Sequence, residues 1–510
     1  MPDRKKQSTD GEGAFQTDHL KSQIAARSIK GGAITMGAQA LKVAAQFGTI
    51  MILARLLTPG DFGLFAIVLA LLTLLELFKD LGLSSATVQR PQITGGQVST
   101  LFWLNAALGT LVAVLLAGFS PLLAWAYDSP LLTELVPAAA LTLVMTGLAA
   151  QHLALLRRQM RFQVLAAVQT GSEVVAMGAA LAAAMNGFGI WSLVIQRLAW
   201  AACMVLGASL TSGWLPGRPA PLKEVRGLIG FGVNATGAMV LGRVATSLDK
   251  MVIGAYWGAA PLGFFERAQK LIMMPVQNLN TPLATIALPM LSRLSDEPER
   301  YRKAYVAVAE RLAMVLAPAA ALLVAGAGPV VALVLGPQWG ESAPLLSWLG
   351  GALLYMPVTY TLSWLYMSQD RTPEMLRANI VNVTLSLGAM FCALPFGIEA
   401  IAATYVLTGG LLRAPLLFWL AGRRGPVGLP CFARIFALPL LAGAAAAGMI
   451  ETAAYLPQVM ALQPLPRVAL YAGIAGVTAL TIYAAAPHGR RVLLETLRLR
   501  RHLAVEGVRA

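Results

Sequence analysis

Between Gly32 and Ala486 the chain alternates long apolar runs with short gaps marked by Pro, Gly or Asn, among them Thr58-Pro59-Gly60, Asn186-Gly187, Pro216-Gly217 and Gly336-Pro337. A membrane-spanning helix needs about 20 mainly apolar residues, and about fourteen runs reach that length. The first six are Gly32–Leu56, Asp61–Leu83, Ser99–Leu122, Leu131–His152, Val164–Met185 and Phe188–Leu210. Then come Leu228–Trp257, Leu262–Leu291, Tyr305–Ala325, Ser342–Tyr366, Met375–Phe396, Ile398–Leu420, Phe432–Ile450 and Arg467–Ala486. The pattern predicts an all-α polytopic membrane protein with no loop long enough for a separate catalytic domain.

Polar positions inside these runs are not scattered. In the first, Thr35, Gln39, Lys42, Gln46 and Thr49 recur at spacings of 4, 3, 4 and 3, one face of a helix with Lys42 at its centre. In the seventh, Thr236, Arg243, Ser247 and Lys250 share a face, with Thr246 and Asp249 beside them. The eighth carries Glu266, Arg267, Lys270 and Gln277, and Glu266 with Lys270 forms an i,i+4 pair in the favourable orientation. Glu76, Lys79 and Asp80 lie in the second, Glu173 in the fifth and Arg197 in the sixth. A polar stripe can also be a packing face between helices. A charge at the bilayer centre, however, costs about 2.5–3.5 kcal/mol on insertion scales and marks a cavity or a partner. For Glu76, Lys79 and Asp80 a local ion-pair cluster is the competing reading, and Arg413 is expected to snorkel to the cytoplasmic interface.

The chain also repeats. Shifted by 200 positions, Ile52-Leu53-Ala54 through Phe62-Gly63-Leu64-Phe65 falls on Val252-Ile253-Gly254 through Leu262-Gly263-Phe264-Phe265. Six spans separate the copies, an even number, so the halves are parallel repeats about an axis along the membrane normal. Arg243 stands one residue from the image of Lys42, which suggests a basic central cavity. The expected organisation is a disordered cytoplasmic tail (1–30), two six-helix lobes (31–215 and 226–422), two extra helices (432–487) and a basic cytoplasmic tail (488–510).

Charge adds direction. Of 39 Lys and Arg, 29 fall in the tails and in every second gap: around Arg90, Arg157, Arg158 and Arg161, Arg218 to Arg226, Arg293 to Arg311, Arg371 and Arg377, and Arg423 to Arg434. Cytoplasmic loops carry the Lys/Arg excess, so both ends are expected in the cytoplasm and the number of spans is even. The +15 net charge is explained by these short loops and basic contacts with anionic lipid, without nucleic acid. At 57% hydrophobic and 12% charged, with mean hydropathy +0.67, the chain is mostly membrane. Cys203, Cys392 and Cys431 and the four His have neither disulfide nor metal spacing. There is no Gly-Lys dipeptide and so no P-loop, and no Gly-x-Ser-x-Gly or His-Glu-x-x-His run. No catalytic residue, cofactor or metal is expected, and the chain is not expected to be an enzyme.

The run Leu53-Ala54-Arg55-Leu56-Leu57-Thr58-Pro59-Gly60-Asp61-Phe62-Gly63-Leu64-Phe65 resembles the first-loop signature of bacterial polysaccharide flippases. So do Ser247-Leu248-Asp249-Lys250-Met251-Val252-Ile253-Gly254 and Leu262-Gly263-Phe264-Phe265-Glu266-Arg267-Ala268. These proteins belong to the multidrug/oligosaccharidyl-lipid/polysaccharide export superfamily; the resemblance covers roughly residues 30 to 420 and is nearest to the colanic-acid-type branch. It implies two six-helix lobes around a central cavity plus two extra helices. It also implies a lipid-linked (undecaprenyl-pyrophosphate) oligosaccharide, flipped across the bacterial inner membrane by alternating access for exopolysaccharide or lipopolysaccharide export. A polymerase and glycosyltransferases are the implied partners. Lys42, Arg243 and Lys250 can neutralise a pyrophosphate. With Gln39, Gln46, Asp249, Glu266, Lys270 and Arg197 they make up the candidate substrate-binding set. Asp249 pairs with a neighbouring cation or carries a coupling ion, Na+ or H+. A multidrug or metabolite exporter of the same superfamily is the alternative, for which an acidic cavity is expected. A membrane sugar polymerase or ligase would carry a sizeable extracytoplasmic loop, and a scaffold would not explain the intramembrane cations.

Overall fold

The computed structural model describes residues 46–90, 92–221 and 247–496, with isolated positions 223, 225, 227 and 244. Among the described residues every regular element is helical. Helix α1 covers Gln46–Leu56, α2 Pro59–Asp80, α3 Leu83–Gln89, α4 Gly95–Ala126, α5 Leu132–Arg158, α6 Phe162–Met185 and α7 Trp191–Ser212. Helix α8 covers 247–257. Then follow α9 Ala259–Arg293, α10 Pro298–Ala325, α11 Ala327–Val334, α12 Ser342–Gly350, α13 Met356–Ser368, α14 Thr372–Ala393, α15 Ile398–Thr408 and α16 Ala414–Gly422. The last are α17 Leu429–Ala454, α18 Pro457–Met460, α19 Pro464–Ala485 and α20, 487–496. Eleven spans among the described residues are long and apolar enough to cross a membrane. Helix α9 is long enough at 35 residues, but Glu266, Arg267, Lys270, Gln277, Asn278 and Asn280 lie along it. The chain is a multi-pass membrane protein.

The gap residues act as helix starts. Thr58 Oγ1 accepts from the Asp61 amide (3.2 Å) while the Asp61 carboxylate accepts from the Thr58 amide (2.9 Å), a capping box with Pro59 in the first turn. Thr94 and Gln97 repeat the device at α4. The conspicuous Thr-Pro-Gly-Asp run is therefore a helix nucleus, which accounts for its residue types without any ligand. The repeat appears in the same elements: α2 opens at Pro59 and α9 at Ala259.

Two compact units divide the chain, Met1–Ala260 and Pro261–Ala510. In the first, α4 packs along α5 with α2 and α7 around Leu72, Leu132, Leu135 and Leu143, and α6 packs along α7. Helices α4 and α5 approach so closely that a Cβ on Gly109 would lie 2.7 Å from the Leu143 carbonyl, and one on Gly147 2.8 Å from that of Asn105. Small residues permit such backbone approach where lipid supplies no hydrophobic drive between helices. Tyr127, in the α4–α5 turn, donates to the Met251 carbonyl (3.1 Å), and burial pushes its pKa up.

In the second unit α17 lies along α10, and Tyr483 of α19 donates to the Met314 carbonyl (3.1 Å). Helices α17 and α19 are thus integral to this unit's packing. Tyr305, Phe418 and Phe432 centre one core of this unit, with Phe418 and Phe432 stacked at 3.6 Å. Two spans read as continuous are broken. A 3-10 turn at Gly351–Leu354 separates α12 from α13, and a π turn at Gly409–Arg413 separates α15 from α16.

Within each unit the basic gaps meet one another. Arg158 Nη1 donates to the Arg90 carbonyl (2.5 Å), Arg161 Nη1 to that of Thr211 (2.7 Å) and Trp103 Nε1 to that of Gly217 (3.3 Å). In the second unit Arg371 and Arg424 share Glu374 (2.5 and 3.3 Å). Farther along α10, Arg311 pairs with Glu495 of α20 (3.0 Å), and His488 of α20 joins Glu310. Helices entered from basic gaps therefore begin at one common end of their own unit.

Candidate functional site

Helix α2 places Glu76, Lys79 and Asp80 within little more than one turn. Glu76 Oε1 accepts from Arg197 Nη2 of α7 at 2.6 Å, and the Arg197 guanidinium lies 4.5 Å from the Trp200 ring centre. Lys79 is buried, at 8% exposure, and feels the charges of Glu76, Asp80 and Arg197. Two cations and two carboxylates thus balance inside one span region.

From Asp80 a hydrogen-bonded chain leads toward the basic end. Asp80 Oδ1 accepts from Ser84 Oγ (2.6 Å) and from Asn105 Nδ2 of α4 (2.8 Å). Gln151 Nε2 of α5 donates to Asn105 Oδ1 (3.4 Å), and Thr87 Oγ1 of α3 donates to Gln151 Oε1 (2.7 Å). Arg158 closes the chain by donating to the Thr87 carbonyl (3.0 Å) as well as to Arg90. Asn105 and Gln151 are fully buried. Their amides cannot be left unpaired there without a cost of about 1–3 kcal/mol each, which is why the side chains meet. Arg158, read from sequence as a loop cation, is buried and holds the carbonyls at the end of α3, where a cation complements the helix dipole.

In the second unit Glu266 is buried and takes Arg267 Nη2 at 2.5 Å. Lys270 is exposed. Both amide atoms of Asn280, further along α9, are buried without a hydrogen-bond partner. Arg413 does not snorkel. It is 7% exposed, donates from Nη2 to the Tyr405 carbonyl (2.8 Å) and lies 5.0 Å from the Tyr405 ring centre. The reason is depth and direction: nine positions separate it from the end of α16, and the π turn points it back along its own helix.

Of the candidate substrate set, Gln39, Lys42 and Arg243 lie outside the described residues, as does the polar tail 1–30. Gln46 opens α1, and Asp249 and Lys250 lie in α8, all three half-buried. Arg197 is brought to Glu76, and Glu266 to Arg267. Asn105, Gln151 and Thr87 were missed by sequence reasoning, although uncharged amides inside apolar runs were visible as a signal.

Among the described residues the chain is all-helical and multi-pass, with charged groups held inside its spans, and it shares its fold with membrane transporters of known structure. The chain superposes on the lipid II flippase MurJ in an inward closed conformation with a TM-score of 0.73, over 89% of this chain and 98% of that one, at 11% identity. A multidrug resistance MATE family transporter of the MOP superfamily, inward-facing, gives 0.57 over 78% and 95% at 16% identity. Residues 52–344 match the polysaccharide biosynthesis protein family, and the chain belongs to it. Among its relatives are the teichuronic acid biosynthesis protein TuaB of Bacillus subtilis (strain 168), 26% identical over 274 residues, 53% of this chain and 57% of that one. The lipopolysaccharide biosynthesis protein WzxC of Escherichia coli (strain K12) is 23% identical over 345 residues, 66% of this chain and 69% of that one. The succinoglycan biosynthesis transport protein ExoT of Rhizobium meliloti (strain 1021) is 27% identical over 301 residues, 59% and 61%. The chain thus spans between 57% and 69% of the length of these relatives.

Proposed function

We propose that this protein flips lipid-linked oligosaccharide repeat units, carried on undecaprenyl pyrophosphate, across the bacterial inner membrane for polysaccharide export. The observation that carries the reading is the family match over residues 52–344 on a chain whose fold follows a lipid flippase over 89% of its length. Both termini face the cytoplasm in this reading, because the basic gaps that gather at one end of each unit obey the positive-inside rule. The two six-helix repeats, 31–215 and 226–422, provide alternating access, and 432–487 brace the second of them.

The substrate contacts are assigned to Lys42, Gln39, Gln46, Arg243, Asp249, Lys250, Glu266, Lys270 and Arg197. A pyrophosphate head is dianionic or more, and a basic set at membrane depth offsets its desolvation. Either a proton or a sodium gradient supplies the driving force. The polymerase that extends the flipped unit and the glycosyltransferases that build it are the functional partners.

A deletion strain tests the reading. Lipid-linked oligosaccharide should accumulate in the inner leaflet, surface polysaccharide should cease, and assembly of the repeat unit should continue. Normal outer-leaflet exposure with increased sensitivity to cationic drugs would favour an exporter instead.

A further inference from the structure

Arg413 is a guanidinium inside the span Ile398–Gly422 whose polar partners, among the described residues, are one carbonyl and one aromatic ring. Its Nε is buried and has no hydrogen-bond partner. The nearest acidic residue on its own span, Glu399, is 14 positions earlier, about 20 Å along a helix. An ionisable residue buried inside a span is rare and marks a functional position by default, and here its hydrogen-bond partner is a backbone carbonyl rather than a countercharge.

The surrounding backbone is built around it. The π turn Gly409–Arg413 inserts an extra residue, closed by the Ala414 amide on the Gly409 carbonyl. Such single-turn π segments occur frequently at functional sites. A Cβ on Gly409 would lie 1.9 Å from the Tyr355 hydroxyl and 3.0 Å from Arg413 Nη2. The glycine therefore keeps open the space in which these two donors converge. Both rest on the same acceptor: Tyr355 Oη donates to the Tyr405 carbonyl at 3.3 Å and Arg413 at 2.8 Å. A neutral carbonyl shared by two donors is a weak acceptor beside a phosphate, which offers several anionic oxygens and matches the guanidinium fork.

We propose that Arg413 and Tyr355 form a phosphate-binding site in the second unit, parked on the Tyr405 carbonyl when empty, and that the diphosphate head of the lipid substrate occupies it. This deepens the functional reading above and rests on it. The shared chemistry is a diphosphate; its source is a lipid headgroup or free pyrophosphate, and the test separates the two.

Purified full-length protein in nanodiscs is titrated with farnesyl pyrophosphate, with farnesol and with inorganic pyrophosphate. Wild type should bind farnesyl pyrophosphate, and Arg413→Gln should bind it about tenfold more weakly. Arg413→Lys, which keeps the charge but loses the fork, should fall between. Competition by inorganic pyrophosphate in wild type, lost in Arg413→Gln, means that the diphosphate alone is recognised. Without that competition, the headgroup is recognised in its lipid. In wild type, amide hydrogen exchange over 405–414 should slow with farnesyl pyrophosphate and not with farnesol, a readout that holds even where the Gln variant cannot be purified. Equal affinity of Arg413→Gln and wild type, or unchanged exchange over 405–414 in a protein that binds, overturns the assignment while leaving the functional reading intact. A wild-type protein that binds no lipid diphosphate overturns both.

Discussion

Glu76 of α2 and Arg197 of α7, 121 positions apart, are joined by a 2.6 Å hydrogen bond inside the first unit. The pair is the only link in the Glu76–Lys79–Asp80 cluster, among the described residues, in which the acid and base come from different helices. Side-chain exposures of 28% and 22% put it between a surface pair and a fully buried one.

Breaking one side should leave the partner charge uncompensated. Removing one member of a buried pair costs about 3–5 kcal/mol, and partial exposure reduces this to about 1–3 here. We expect Glu76→Ala and Arg197→Ala to unfold at lower temperature in detergent. The exchanged double variant Glu76→Arg/Arg197→Glu should recover part of the loss. If each single variant melts with wild type, the bond contributes nothing to the fold.

Close backbone approach gives a second, steric expectation. A Cβ on Gly63 would lie 1.7 Å from the Ala259 carbonyl, whereas one on Gly118 meets nothing within 4 Å. Gly63→Ala should therefore sharply reduce folded protein, and Gly118→Ala, in a helix interior, should be neutral or gain up to about 1 kcal/mol. Fluorescence-detected size exclusion separates the two. Equal yields would mean that the helices carrying Gly63 and Ala259 yield to the added methyl.

The cationic positions outside the described residues are tested by transport. Lys42→Ala and Arg243→Ala should each impair export with membrane abundance nearly normal, and Lys42→Arg should be milder than Lys42→Glu. Normal export by both Lys42→Glu and Arg243→Glu would exclude an anionic substrate at these positions.

Much of the fold was legible in the sequence because a span is a local property. Twenty apolar residues announce themselves, and the α6 and α15 starts, Phe162 and Ile398, fall within two positions of the expected Val164 and Ile398. The networks were less legible because their pairs are distant in the chain. Glu76, Lys79 and Asp80 invited a local cluster, and only the packing of α7 brings Arg197 to it. Asn105 and Gln151, 46 positions apart, meet because Gly109 and Gly147 let α4 and α5 close on each other. The folding back of Arg413 depends on a π turn that hydropathy does not encode.

Topology has its own check. Reporter fusions after Arg158, Lys223 and Arg424 should all read cytoplasmic, since basic gaps alternate with poor ones along the whole chain. An extracytoplasmic signal at any of these three positions would break the even alternation.

Reconstitution addresses flipping itself. The protein, alone in proteoliposomes, is given a lipid-pyrophosphate oligosaccharide in the inner leaflet and an ion gradient, and exposure of the sugar to an external lectin or glycosidase is followed in time. Exposure should require the wild-type protein and fall with Lys42→Glu. Exposure at the rate of protein-free liposomes, with folded protein present and either a sodium or a proton gradient imposed, would contradict the proposed flippase activity.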